Sequence, residues 1–148
     1  MRIKKTKEKE KKKVAIVVPL YKENFSESEK ISLKHLLNFL KNYDKYFIAP
    51  KKIKVSHSKF ETIRFNKKYF LSTKMYSKLL LTQNFYKKFK NYKYILIYQL
   101  DALVFSDQLL YWCSKNYDYI GAPWMNTEMK KYFQDIISLI IVETEVYP

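Results

Sequence analysis

Two short polar stretches stand at the ends of apolar runs, and these are where the chain has chemistry to offer. Residues 14–20 (VAIVVPL) lead into Tyr21-Lys22-Glu23-Asn24, and residues 94–100 (YILIYQL) lead into Asp101, with Gln99 two positions before it. A carboxylate at the end of a buried apolar run is costly to desolvate unless it is paired, acts as a cap, or meets a cation. Asp101 therefore has two readings. It caps the turn after its strand, or it holds a divalent cation or the ribose of a nucleotide at the edge of a sheet. Magnesium-like cations are held by one or two carboxylates and complete their shells from substrate phosphates. From the residues alone the two readings stand level.

Other chemistries are poorly served. With one glycine in the chain, neither a Gly-rich dinucleotide turn nor a P-loop exists. The only thiol, Cys113, falls inside an expected helix. The two histidines, His35 and His57, have no recognisable partner spacing, and no Cys/His pattern suits a structural metal. No catalytic nucleophile or base is assigned.

The elements that must position these ends alternate. The run 14–20 reads as a strand buried on both faces. Ser26 followed by Glu29 forms a capping box for a helix whose Leu33, Leu36, Leu37 and Leu40 share one face. Residues 46–49 read as a short strand stopped by Pro50, and 62–65 as another. One helix is expected from Ser72 to about Lys90, with Met75, Leu79, Thr82, Tyr86 and Phe89 on a stripe. The strand 94–100 follows. Ser106 or Asp107 then caps a short helix through Cys113, residues 117–120 form a strand, and an amphipathic helix over about 128–142 closes the chain. Strands alternating with helices imply a mostly parallel sheet with helices on its faces, whose ligands lie outside the carboxyl ends of the strands.

The chain has 148 residues, a formal net charge of +15 and 47% hydrophobic residues, which suits one folded domain. Residues 1–13 carry eight basic and two acidic residues. Such a tail reads as a solvated arm whose best functional use is attraction to anionic lipid headgroups, a peripheral membrane contact. No zinc-finger spacing or RNA-binding aromatic signature supports specific nucleic-acid binding. A lone cysteine fits a reducing compartment. With no apolar run of 18 residues and no h-region before Pro19, the expected location is the cytoplasm, at the inner face of the membrane if the tail docks there.

The stretch Tyr92–Phe105 (YKYILIYQLDALVF), then Tyr111-Trp112-Cys113, then Tyr117–Trp124 (YDYIGAPW), resembles a family of uncharacterised domains related to GT-A glycosyltransferases. The opening Val14–Glu23 is similar to the Pro-x-Tyr-Asn-Glu start of many nucleotide-sugar enzymes, and Tyr69–Ser72 through Phe85-Tyr86 matches in character. The resemblance spans about residues 14–124. It implies a GT-A-like, Rossmann-like α/β donor-binding half and a nucleotide-sugar donor. It places Asp101 at the Asp-x-Asp site that binds metal, manganese or magnesium, and nucleotide sugar. Gln99 stands where the first carboxylate of that pair falls, or Leu103 where the second does. Tyr21 and Glu23 match the loop residues that meet base and ribose. Trp124 matches an aromatic that stacks on a sugar on the acceptor side or fills the core.

Residues 125–148 lack the glycine-rich segment and acceptor-binding half that the resemblance leads one to expect. The expected organisation is a basic tail (1–13), a donor-binding domain (14–124) and a divergent C-terminal helix (125–148), as in a truncated or frame-shifted copy. The expected function is a glycosyltransferase acting on a glycan or lipid-linked acceptor, or an inactive form of one. The alternative is a non-catalytic binding module that uses its basic tail on a membrane or polyanion.

Overall fold

The computed structural model describes residues 12–121 and 139–144. They form a six-stranded, mostly parallel sheet with helices on both faces. Strand β1 (Lys12–Pro19) pairs in parallel with β2 (Asp44–Pro50) on one side and with β4 (Tyr92–Tyr98) on the other, and β3 (Glu61–Phe65) extends the sheet beyond β2. Beyond β4 lie two antiparallel strands, β6 (Leu139–Glu143) and β5 (Tyr119–Ile120), so the order is β3-β2-β1-β4-β6-β5.

The apolar run of β1 is buried because both faces of the sheet are covered. Val14, Ile16 and Val18 face helix α1 (Glu27–Phe39) and pack with its Leu33 and Leu36. Ala15 and Val17 face the other way, onto Leu79 of α2 (Thr73–Leu80) and onto Phe85 and Tyr86 of α3 (Gln83–Lys87). Strand β4 splits likewise, with Tyr94, Leu96 and Tyr98 on the α1 side and Ile95 and Ile97 on the other. This period-two division is why β1 and β4 read as continuous apolar runs. Helix α1 starts where its capping box demands. The Glu29 amide donates to Ser26 Oγ (3.3 Å), and the Ser26 amide donates to the Glu29 carboxylate (2.7 Å).

Three expectations are corrected and one, the cap of the short helix through Cys113, is narrowed to Asp107. Lys12 and Lys13 belong to β1 rather than to a tail. The helix expected over 72–90 is two helices. Thr82 is not on its buried stripe but between the two. Its hydroxyl donates to the Leu79 carbonyl (2.7 Å) and accepts from the Phe85 amide (3.4 Å), ending α2 and capping α3. A hydroxyl that bonds the local backbone competes with helix propagation, and here it wins. Helix α4 (Leu109–Cys113) is capped from one residue upstream: Asp107 Oδ1 accepts from the Leu109 amide (3.2 Å), while Ser106 takes no part. Residues 139–142, expected at the end of a helix, lie in β6. A short run of Leu, Ile, Ile and Val has no periodicity to separate helix from buried strand, and its branched residues favour the strand. Residues 122–138, with the rest of that expected helix, lie outside the described residues.

Candidate functional site

The strand order reverses at β1. The chain runs from β1 to β2 on one side and returns to place β4 on the other. Helices α1 and α2 therefore diverge at this point, and a crevice opens beyond the carboxyl ends of β1 and β4. A cavity of about 410 Å³ lies there. Its floor comes from Pro19, Leu20, Tyr21 and Lys22 after β1 and from Gln99, Leu100 and Asp101 after β4. Phe25 and Glu29 close one wall, and residues 70–73 with Tyr76 the other.

Three of the residues singled out in sequence come together here: Tyr21, Gln99 and Asp101. Asp101 is exposed, and its carboxylate makes no hydrogen bond or ion pair among the described residues. The turn it occupies is closed instead by the backbone, through the Ala102 amide donating to the Gln99 carbonyl (3.0 Å). The cap reading of Asp101 therefore finds no support, and the carboxylate faces the crevice uncommitted. Tyr21 is 66% exposed, with the Lys22 ammonium 5.7 Å from its ring centroid.

Glu23 does not line the cavity. Its Oε1 accepts from the backbone amide of Lys54 (2.7 Å), which ties it to the loop between β2 and β3. Trp124 lies outside the described residues. Leu103 is not in the cavity lining either, so Gln99 is the neighbour of Asp101 that shares the crevice.

Lys22 and Glu29 form an ion pair on the wall (2.7 Å). Burial works against the charged form of Glu29. The bonds from Lys22 and from Ser26 outweigh it and hold this carboxyl below the usual carboxylate range, while the same pairing raises Lys22. Glu29 thus serves both the α1 cap and the site wall.

The wall built by α2 was not legible as a site. Ser72 reads only as a helix start, and it is one: its hydroxyl accepts from the Met75 amide (3.3 Å). One turn on, Tyr76 lines the same cavity. Its hydroxyl is buried with no hydrogen-bond partner among the described residues, and burial pushes it well above the ordinary tyrosine range. A buried hydroxyl left without a partner costs about 1–3 kcal/mol. Tyr76→Phe is therefore expected to raise the stability of the free protein by about 1 kcal/mol, read as an upward shift of the thermal midpoint.

The remaining reactive groups serve structure. Cys113 is buried, and desolvation pushes its thiol up to about 11, so it is not a nucleophile at neutral pH. His35 Nδ1 lies 3.0 Å from the Val104 carbonyl, and His57 accepts from the Lys59 amide (3.2 Å). Among the described residues no three His, Cys, Asp or Glu side chains converge on a metal-sized space.

A family model described as "Protein of unknown function (DUF5672)" matches residues 59–139, a stretch that includes α2, β4 and Asp101. No curated protein matches the chain in sequence. Among solved structures, the fold is similar to that of the galactosyltransferase LgtC, crystallised in complex with donor and acceptor sugar analogs. The TM-score is 0.54 and the identity 13%, over 88% of this chain and 58% of the galactosyltransferase. At that identity the likeness is one of fold, and this chain spans less than two thirds of the enzyme's length.

Proposed function

We propose, for a chain that belongs to the family of proteins of unknown function DUF5672, that the crevice beyond β1 and β4 binds a nucleotide-sugar donor and that the domain is the donor half of a glycosyltransferase. The observation that carries this reading is the uncommitted Asp101 carboxylate, exposed on a crevice at the switch point of a GT-A-like sheet. The similar galactosyltransferase holds donor and acceptor sugar analogs, which supports a sugar donor as the kind of partner.

Each lining group has a use in that reading. The exposed ring of Tyr21 offers a stacking face to a base. The Gln99 amide both donates and accepts, as a ribose or a phosphate requires. Lys22 adds positive charge beside a diphosphate, although part of that charge is already spent on Glu29.

A cation fits this residue set only on certain terms. Asp101 is one carboxylate, Gln99 adds a carbonyl oxygen, and Glu29 is committed elsewhere. That is too few ligands for an all-protein cage. It suits a magnesium- or manganese-class ion that takes the rest of its shell from a diphosphate. Such an ion would supply neutralisation of the diphosphate leaving group. The acceptor class, glycan or lipid-linked, is left to the half of the site that Trp124 would join.

Calorimetric titration of the full chain with uridine diphosphate and with guanosine diphosphate, each with and without manganese, tests the proposal. Saturable binding of one of them, tighter with manganese, is the expected result. Absence of binding to every nucleoside diphosphate would sink the donor site. Binding without release of diphosphate from any sugar donor would favour the non-catalytic binding module.

A further inference from the structure

Helix α4 is amphipathic in an unusual sense. It buries Leu109 and Cys113, four residues apart, against the α1 side of the core, and turns Leu110, Tyr111 and Trp112 to solvent at 50%, 55% and 40% exposure. Tyr111 and Trp112 meet edge to face at 5.3 Å, and the Lys115 ammonium lies 4.5 Å from the Tyr111 centroid. Three consecutive exposed apolar residues on one helix call for a partner surface.

The position of α4 indicates which one. The Tyr43 hydroxyl, immediately before β2, donates to the Asp107 carboxylate at 2.8 and 2.9 Å, which draws the start of α4 to the amino pole of the sheet. Lys13 and Lys93, near the first residues of β1 and β4, flank the Tyr94 ring at 6.0 and 5.2 Å, and their positive charge reaches Cys113 at the end of α4. Residues 1–11, with six basic and two acidic side chains, join the fold through Lys12 at this same pole. The exposed aromatics therefore share one end of the molecule with Lys13, Lys93 and Lys115. The donor crevice lies at the other end of β4, whose seven residues span roughly 20 Å. Among the described residues no helix is long and apolar enough to cross a membrane.

We propose that this pole docks on an anionic lipid surface, with Leu110, Tyr111 and Trp112 seated at headgroup level and Lys13 and Lys115 facing lipid phosphates and carboxylates. Tyr and Trp prefer the membrane–water interface, where one end of the ring is apolar and the other wet. Basic residues near an anionic leaflet add attraction that salt screens. A wholly electrostatic partner such as nucleic acid would use the lysines but has no need of Leu110. Docked in this way, the domain holds its crevice away from the bilayer, so lipid binding and donor binding are separate properties.

The test is sedimentation of the full chain with vesicles of phosphatidylcholine alone and with about one third phosphatidylserine, at low and at physiological salt. Binding to the anionic vesicles is expected, with a loss of roughly tenfold or more in the double variant Tyr111→Ser, Trp112→Ser. The double variant should bind nucleoside diphosphate as the parent does. Brominated acyl chains provide a second readout that tolerates any change in stability: they should quench the parent's tryptophan emission and quench Trp112→Phe much less. Failure of the parent to bind anionic vesicles overturns the proposal. So does undiminished binding or quenching in these variants, which would leave the basic tail as the sole contact, and so does a single-stranded oligonucleotide that binds through the same two aromatics more tightly than the vesicles.

Discussion

Asp101→Asn should weaken the binding of a nucleoside diphosphate with manganese by about tenfold to a hundredfold and leave the thermal midpoint unchanged. The two halves of that expectation have different causes. Asparagine keeps the shape and one carbonyl oxygen but loses the charge. A hydrogen bond or ligand contact to a charged group is worth about 1.5–3 kcal/mol, which converts to that range of affinity. Stability is spared because the carboxylate is exposed and bonds to nothing among the described residues, and such surface changes stay within about 0.5 kcal/mol. The difference between parent and variant should shrink when manganese is omitted, since the charge then has only an anion to face. Glu23→Gln is the matched control. That carboxylate is taken up by the Lys54 amide, so an effect below about twofold on the same titration is expected, well under the worth of one charged contact. Equal affinity of the parent and Asp101→Asn, measured by calorimetry with manganese present, would remove Asp101 from the site.

What could be read in the sequence, and what could not, follows from how local each signal is. β1 and β4 were legible because both faces of each strand are buried, so nearly every residue is apolar. The start of α1 was legible because a capping box is written within four residues. The location of a crevice followed from topology, since alternation of strands and helices puts ligands at the carboxyl edge. The opposite wall was not legible. Ser72, Thr73 and Tyr76 reach the crevice only because the crossover from β3 to β4 returns α2 across the sheet, and nothing in their spacing says so. The absence of Glu23 from the cavity lining has the same cause in reverse. A loop residue two positions after Tyr21 is drawn away by the amide of Lys54, thirty-one residues further on. The break at Thr82 was masked because Leu79, Phe85, Tyr86 and Phe89 still bury their side chains on either side of it. Residues 139–142 read as helix because their identity as a strand comes from pairing with β4 rather than from a pattern of their own.

Tyr98 should show how the core holds the site, through two substitutions that differ by a ring. Its side chain is fully buried on the α1 face of β4, and its hydroxyl donates to the Ala102 carbonyl (3.0 Å) across the turn that carries Asp101. Ser32 Oγ, from α1, donates to the same carbonyl and lies 2.9 Å from the Tyr98 hydroxyl. The turn after β4 is therefore pinned from behind by two hydroxyls, with His35 at the Val104 carbonyl further on. Tyr98→Ala should cost about 3–5 kcal/mol, because the sheet and α1 cannot collapse into the space of an aromatic ring. Tyr98→Phe keeps the ring and leaves the Ala102 carbonyl one donor from Ser32, so its cost should be about 1 kcal/mol. Urea denaturation midpoints separate the two, provided the slopes agree. Donor affinity should then order differently from stability. If the hydroxyl pair fixes the Asp101 turn, Tyr98→Phe loses affinity severalfold although its cost in stability is small, and the double change Ser32→Ala, Tyr98→Phe loses more than the two singles combined, since one remaining hydroxyl still holds the carbonyl in part. Additive losses would mean that the turn holds its shape through the backbone bond from Ala102 to Gln99 alone, and that α1 supports the crevice only by packing.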